Sequence, residues 1–294
     1  MKAKTWDKIA TAVLYAISFL IIFLLVGFIG YIIYNGRSSL NLHFLIGDSL
    51  VNEAGGGIGP QLFNSFYMLI ISLVITVPIG IGAGIYLSQY AKQGKVLGFI
   101  RLCIETISSL PSIVVGLFGL LVFVTMTHWQ YTLLAGALAI TVINLPSMTR
   151  VSENAITAVA SKVREASLGL GATEWQTIKK VILPSAMPQI LTGVILAAGR
   201  VFGEAAALLY TSGMSSPNLN YNNISLTNKI SPFSLFRPAE TLAVHIWKLN
   251  SESMVPDASK IANGSSAVLV IMVLLFNFLA RIIGNKIYKA YSGK

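Results

Sequence analysis

Charged side chains are scarce in this chain. Asp, Glu, Lys and Arg make up 11% of its 294 residues, where an ordinary soluble domain carries about a quarter. The shortage excludes a conventional water-facing surface: 54% of the residues are hydrophobic, and that excess must meet something other than water. Cysteine is almost absent. Cys103 stands alone, so neither an internal disulfide nor a cysteine-based metal site can form. His43, His128 and His245 are scattered and offer no metal-ligand spacing. A nucleotide-cradling loop is missing too: Gly94-Lys95 is followed by Val96 and lacks the preceding glycine. The glycines at 55–57 lack the lysine of such a loop and read as a turn. The chain is not expected to hydrolyse ATP. A formal net charge of +10 could suggest nucleic acid, but the membrane topology read below accounts for it.

What is present is a set of long charge-free runs, covering residues 9–36, 54–91, 106–149, 181–199 and 261–280. About 20 apolar residues cross the hydrocarbon core as a helix. The run at 106–149 holds two crossings, divided by the polar and aromatic Thr127-His128-Trp129-Gln130-Tyr131. Six transmembrane helices are therefore expected, near 11–34, 62–90, 104–126, 131–150, 187–211 and 263–285. One side of this arrangement holds 15 basic residues against four acidic ones; the other holds five of each. Positive loops stay in the cytoplasm, which puts both termini inside. The first helix is too long for a signal-peptide core and reads as an uncleaved anchor.

The longest inside loop, 151–186, reads as two short amphipathic helices. Val163, Ala166 and Leu170 recur at helical spacing before Gly171; Trp175, Ile178 and Ile182 recur after it. Gly171 fits a C-cap, Thr173 a helix start and Pro184 a stop. Such a unit cannot bury its own apolar faces and needs a partner surface or the membrane.

Glu165-Ala166-Ser167, three residues, Gly171, nine residues and Val181-Ile182-Leu183-Pro184 resemble the EAA loop of ABC importer permeases. Ser167 and Val181 depart mildly from that pattern. The resemblance implies an all-α integral membrane fold of the type I ABC importer permease architecture, whose cytoplasmic loop docks on a separate ATPase subunit. It carries Glu165, Ala166, Ser167, Gly171, Leu183 and Pro184 over as the docking residues. ATP and magnesium would belong to that partner, leaving this chain non-catalytic and without a cofactor of its own.

Within the expected fifth helix, Arg200 and Glu204 stand four residues apart, on one helical face where they can pair. An Arg near mid-span costs about 2.5–3.5 kcal/mol even on a lenient insertion scale, so it normally faces the bundle interior or a watery path. Its guanidinium fork matches phosphate and carboxylate oxygens. A structural ion pair fixing helix packing is the alternative. This stretch is similar to the permease subunits of the phosphate-specific (Pst) importers, and more to the PstA type than to its PstC-type partner. Gly56-Gly57-Ile58-Gly59-Pro60, Glu105-Thr106, Leu110-Pro111-Ser112-Ile113-Val114, Leu145-Pro146 with Arg150, and Leu242-Ala243-Val244-His245-Ile246-Trp247 carry the likeness. It implies a heterodimeric pore with a PstC-like permease, two copies of a PstB-like ATP-binding subunit and an external PstS-like phosphate-binding protein. It also makes Arg150, with Arg200 and Glu204, a candidate for the anion path, although an inside anchor explains Arg150 as well.

The expected organisation is an anchor helix and first outside loop at 1–60, a permease domain at 61–285 with its EAA loop at 162–184, and a cytoplasmic tail at 286–294. Phosphonate or sulfate as cargo, a secondary transporter and a structural scaffold are the rival readings. Glu105 is expected at a helix N-terminus, where the dipole favours a carboxylate. Pro78, Pro111 and Pro146 are expected to kink their spans. Gly80 and Gly84 form a small-residue face suited to close helix contact. The Asn-rich 218–228 reads as an exposed outside loop.

Overall fold

The computed structural model describes residues 2–50, 54–251 and 255–292, and every regular element among them is helical. In chain order these are α1 (Lys2–Gly36), α2 (Leu42–Ile46), α3 (Gly59–Ile85), α4 (Lys95–Ser108), α5 (Ser112–Gly119), α6 (Leu133–Gly169), α7 (Glu174–Thr177), α8 (Leu183–Gly203), α9 (Ala206–Leu209), α10 (Leu242–Ser251) and α11 (Ala258–Ser292). Wide π-turns extend α3 through Tyr86–Tyr90 and α5 through Leu120–Thr125, and another, Ile178–Ile182, joins α7 to α8. Among the described residues five helices are long and apolar enough to cross a membrane, and a sixth span results if α4 and α5 are taken together.

The third expected crossing departs from a single helix at 104–126. The chain is helical from Lys95, breaks at 109–111 and resumes after a bend of 96°. Pro111 is the cause. It holds extended backbone (φ −59°, ψ 138°), lacks an N–H, and disfavours helical geometry at the residue before it. Glu105 consequently lies near the C-terminal end of α4 rather than at a helix start, and the dipole explanation for it fails. Pro78 and Pro146, by contrast, sit inside the continuous helices α3 and α6.

The expected pair of short inside helices is also revised. The first is the end of α6, which runs unbroken from Leu133 to Gly169. The second merges into the fifth span, helical from Glu174 to Gly203. Pro184 does not stop it. The Leu183 N–H bonds back five residues to the Ile178 carbonyl, and this widened turn makes room for a ring that would clash in a regular α-turn.

The centre of the bundle is a seam of α3, α6 and α8 made close by glycine. A Cβ on Gly80 would lie 2.6 Å from Met148 Cγ, one on Gly84 would lie 2.5 Å from Ser152 Cβ, and one on Gly193 would lie 2.7 Å from Val151 Cγ1. In lipid, where burying apolar area brings no gain, this close van der Waals approach is what holds helices together. Apolar packing then divides into two clusters. One gathers Phe44, Ile58, Met68, Phe202, Leu208 and Leu242 around α10; the other gathers Met148, Ile156, Ile178, Ile182 and Ile190 towards the α6–α7 turn. Phe202 links α3 and α11, with the rings of Phe66 and Phe276 each 5.4 Å from its own. Helix α1 stands apart. None of its most apolar window is buried, and it meets α11 closely where Gly36 abuts Ala267 and Asn263. Its exposed apolar length needs lipid or a neighbouring subunit to cover it.

Candidate functional site

Arg200 occupies the last turn of α8, which ends at Gly203. Glu204 takes extended backbone (φ −76°, ψ 118°), and its Oε1 accepts a hydrogen bond of 3.1 Å from the Ala207 N–H at the start of α9. The helical i,i+4 relation is therefore lost, and no Arg200–Glu204 ion pair forms among the described residues. The two side chains nevertheless line one cavity of about 230 Å³, with the hydroxyls of Ser108 and Ser112 beside the break between α4 and α5. Arg200 also borders a second cavity of about 310 Å³ with Asn144, Ser147 and Val151 of α6. It is exposed and makes no hydrogen bond or ion pair with any described residue. An unpaired guanidinium bridging two open spaces is a ready binder for an oxyanion.

Arg150 is not among the residues lining either of these cavities. It faces Glu105 of α4 at 3.6 Å, while Arg101, one turn earlier on α4, donates from Nε to Glu153 Oε1 at 3.0 Å. These two pairs lace α4 to α6. The Arg150 pair is exposed on both sides, so its contribution is at most about 1 kcal/mol. Glu153 is buried, and losing its partner would be felt more.

The turn between α6 and α7 is built from backbone chemistry. Gly171 takes φ +86°, Gly171 N–H bonds the Leu168 carbonyl and Ala172 N–H bonds that of Ser167, the paired bonds of a Schellman cap. Thr173 then starts the next helix in a reciprocal capping box with Gln176. Two side-chain ties close the elbow: Arg164 Nη2 donates to Glu174 Oε1 at 2.8 Å, and the Ser167 and Thr177 hydroxyls meet at 2.9 Å. Ser167, a departure from the EAA pattern, is thus an internal tie. Glu165, Ala166 and Gly171 are exposed, and Leu170 and Trp175 show 90% and 57% of their surface. Leu183 packs on the Ile178–Ile182 cluster and Pro184 is half-buried, so both support the elbow from behind and lie off its tip.

A second polar assembly escaped the sequence reading. Arg237, read only as one of five outside cations, is fully buried. It donates to Asn64 Oδ1 at 2.7 Å, to the Pro232 carbonyl from Nε and Nη2 at 3.2 and 2.8 Å, and to the Pro238 carbonyl at 3.1 Å. Burial lowers its pKa to about 10. Beside it, the Glu240 Oε2 accepts from Gln61 at 2.8 Å, and its Oε1 faces His245 Nδ1 at 3.2 Å and Lys248 Nζ at 3.5 Å. Burial alone would raise the Glu240 pKa, but the facing His245, with Lys248 and the Gln61 hydrogen bond, outweighs it and lowers the value. The signal that was available is compositional: an Arg between two prolines in a loop, opposite Gln61 and Asn64 one turn apart on an apolar helix. The Asn-rich loop at 218–228 is mostly exposed, as its composition suggested.

Known proteins resemble this chain over most of its length. Residues 76–292 match the family described as binding-protein-dependent transport system inner membrane component. The chain is 55% identical over 289 residues, covering 98% of both proteins, to the probable ABC transporter permease protein YqgI of Bacillus subtilis. It is 34% identical over 236 residues to the phosphate transport system permease protein PstA of Yersinia pestis, covering 80% of this chain and 75% of that one. A bacterial ABC transporter involved in import of the acidic polysaccharide alginate superposes with a TM-score of 0.59 at 13% identity, covering 95% of each chain. The inward-facing MetNI methionine ABC transporter does so with a TM-score of 0.56 at 20% identity, covering 79% of this chain and 94% of that one. Those two likenesses are of fold. The chain belongs to the binding-protein-dependent transport inner-membrane component family, as a multi-pass, non-catalytic permease subunit of an ABC importer that works with an ATPase and a substrate-binding protein.

Proposed function

We propose that this permease imports inorganic phosphate, forming the translocation path with a second, PstC-like permease. In this reading two copies of a PstB-like ATPase, which carry the ATP and magnesium, dock on the 162–184 elbow, and a PstS-like protein delivers phosphate from outside. Both termini lie on the cytoplasmic side of a bacterial plasma membrane, in keeping with the 15 basic residues of that side. Relatives named as PstA support the cargo, and the exposed Leu170 and Trp175 support docking at the elbow. Arg150, paired with Glu105, serves the path less directly than Arg200.

The observation that carries the proposal is Arg200, an unpaired guanidinium opening on two cavities beside Glu204. A charge-assisted hydrogen bond to an oxyanion contributes about 1.5–3 kcal/mol. Arg200→Gln should therefore lower labelled-phosphate uptake by ten- to a hundred-fold or more, with membrane insertion and co-purification of the ATPase unchanged. Wild-type uptake in this variant would leave Arg200 a packing residue and withdraw the assignment. Uptake of phosphonate or sulfate in place of phosphate would keep the path and change the cargo.

A further inference from the structure

Glu204 sits oddly for a residue in an anion-binding cavity. A carboxylate there competes with the cargo for Arg200, and flexible chains would bring the two together. The backbone prevents this. Glu204 lies outside α8 in extended geometry, and the Ala207 N–H fixes its Oε1. Its other oxygen, Oε2, has no partner among the described residues, and Glu204 shares the 230 Å³ cavity with the equally unpaired Arg200. The cavity thus offers a fork of donors from one residue and a lone acceptor from the other, with Ser108 and Ser112 also in its lining, whose hydroxyls can donate or accept.

We infer that Glu204 Oε2 selects, among tetrahedral oxyanions held by Arg200, those that keep a proton at neutral pH. This rests on the reading of Arg200 given above. Inorganic phosphate keeps at least one P–OH at pH 7 and can donate it to Oε2 while its bare oxygens accept from the guanidinium. Sulfate keeps no proton, so one of its oxygens meets Oε2 with no hydrogen between them, and like-charge juxtaposition costs several kcal/mol. Discrimination here needs no contact with the cargo's central atom. It comes from one repulsive element set beside an attractive one.

The test uses the permease pair with its ATPase in nanodiscs, without the binding protein, so that selectivity of the path is read separately from selectivity of delivery. Cys103 is replaced by Ala, and Ile107→Cys places a thiol on the cavity wall. The rate of its labelling by a charged thiol reagent is followed with inorganic phosphate or sodium sulfate at equal ionic strength and pH 7. Phosphate should slow labelling at concentrations at least ten-fold below those at which sulfate does. In Glu204→Gln, whose side-chain oxygen can still accept from Ala207, that ratio should fall to near one. Glu204→Asp, which restores the carboxylate, should keep sulfate out. Equal protection by both anions in the unsubstituted cavity, or undiminished discrimination in Glu204→Gln, overturns the inference and leaves Arg200 untouched. Protection by phosphate that survives Arg200→Gln removes the reading beneath it as well. If Glu204→Gln fails to assemble, the parent comparison and Glu204→Asp still decide.

Discussion

Arg237→Met tests whether the buried assembly at the α10 end holds the loop between α9 and α10 in place. The guanidinium serves Asn64 Oδ1 and the carbonyls of Pro232 and Pro238. Methionine is comparably long but donates nothing, so Asn64 Oδ1 and the Pro232 carbonyl are left buried and unsatisfied. Each such acceptor costs about 1–3 kcal/mol, and relief from burying a cation returns part of the sum. A net loss of about 3 kcal/mol is expected. Backbone bonds tie the loop to α6, from Leu133 N–H to the Arg237 carbonyl and from Leu134 N–H to that of Leu235, Ala239 N–H bonds the Ser212 carbonyl within it, and side chains of Asn64 and Tyr67 hold it to α3. Hydrogen exchange at these three amides, followed in nanodiscs, should accelerate about a hundred-fold, since each 1.4 kcal/mol is a factor of ten. Arg237→Lys keeps the charge but not the fork, and should fall between the two. Exchange within a few-fold of wild type in Arg237→Met would mean that the loop is held by its apolar packing, and the account of Arg237 as its staple would be wrong.

Gly84→Val should destabilise by about 1–3 kcal/mol, read from the unfolding midpoint in detergent, because even its Cβ would lie 2.5 Å from Ser152 Cβ across the α3–α6 seam. Glu240 gives a pH dependence. Its folded-state pKa lies below the ordinary carboxylate value, so its stabilisation is present above that ordinary value and is lost as pH falls through the lowered one. Acid unfolding of Glu240→Gln, scanned below pH 5, should accordingly be less steep than that of wild type; superimposable scans would deny Glu240 this role. Leu170→Glu should leave the chain's own stability within about 0.5 kcal/mol, since the side chain is 90% exposed. The same variant should sharply reduce co-purification of the ATPase, and full retention would move the docking surface elsewhere.

Much of the bundle was legible because lipid imposes a simple rule: a span is a run without charge. The runs at 9–36 and 261–280 became α1 and α11, and the Thr127–Tyr131 patch became a break between helices, with His128 and Gln130 at positive φ. Gly171 and Thr173 were legible for a local reason, since a left-handed cap and a capping box need only their immediate neighbours. Local rules failed where a turn widens. Pro184 signals a stop in any window, and only the five-residue bond from Leu183 N–H to Ile178 lets the helix continue through it. They failed again at Gly203, where spacing alone puts Glu204 beside Arg200. The helix end there is set by Glu204 leaving helical backbone and accepting from the Ala207 N–H at the start of α9, which side-chain spacing along one helix does not reveal.

These two misreadings bear on one object. The continued helix at Pro184 and the helix end at Gly203 together define a single helical run from Glu174 to Gly203, with the elbow at its first turn and Arg200 at its last. Trp175 and Arg200 are separated by 25 residues, or about 38 Å at 1.5 Å per residue. Two shorter helices joined by a flexible stop would let the elbow move without moving Arg200. One continuous helix does not, except by bending at its π-turn or at Pro188. If the ATPase does bind at the elbow, its displacement reaches the Arg200 cavities along a single stiff element packed on α6, α11 and α3. The break at 109–111, by contrast, brings Ser108 and Ser112 to the lining of the same cavity on segments outside that helix. A cavity lined by the guanidinium of one continuous helix and by Ser108 and Ser112 of a broken pair would change its spacing if α8 tilted, so a tilt driven from the elbow would alter the grip on whatever Arg200 holds.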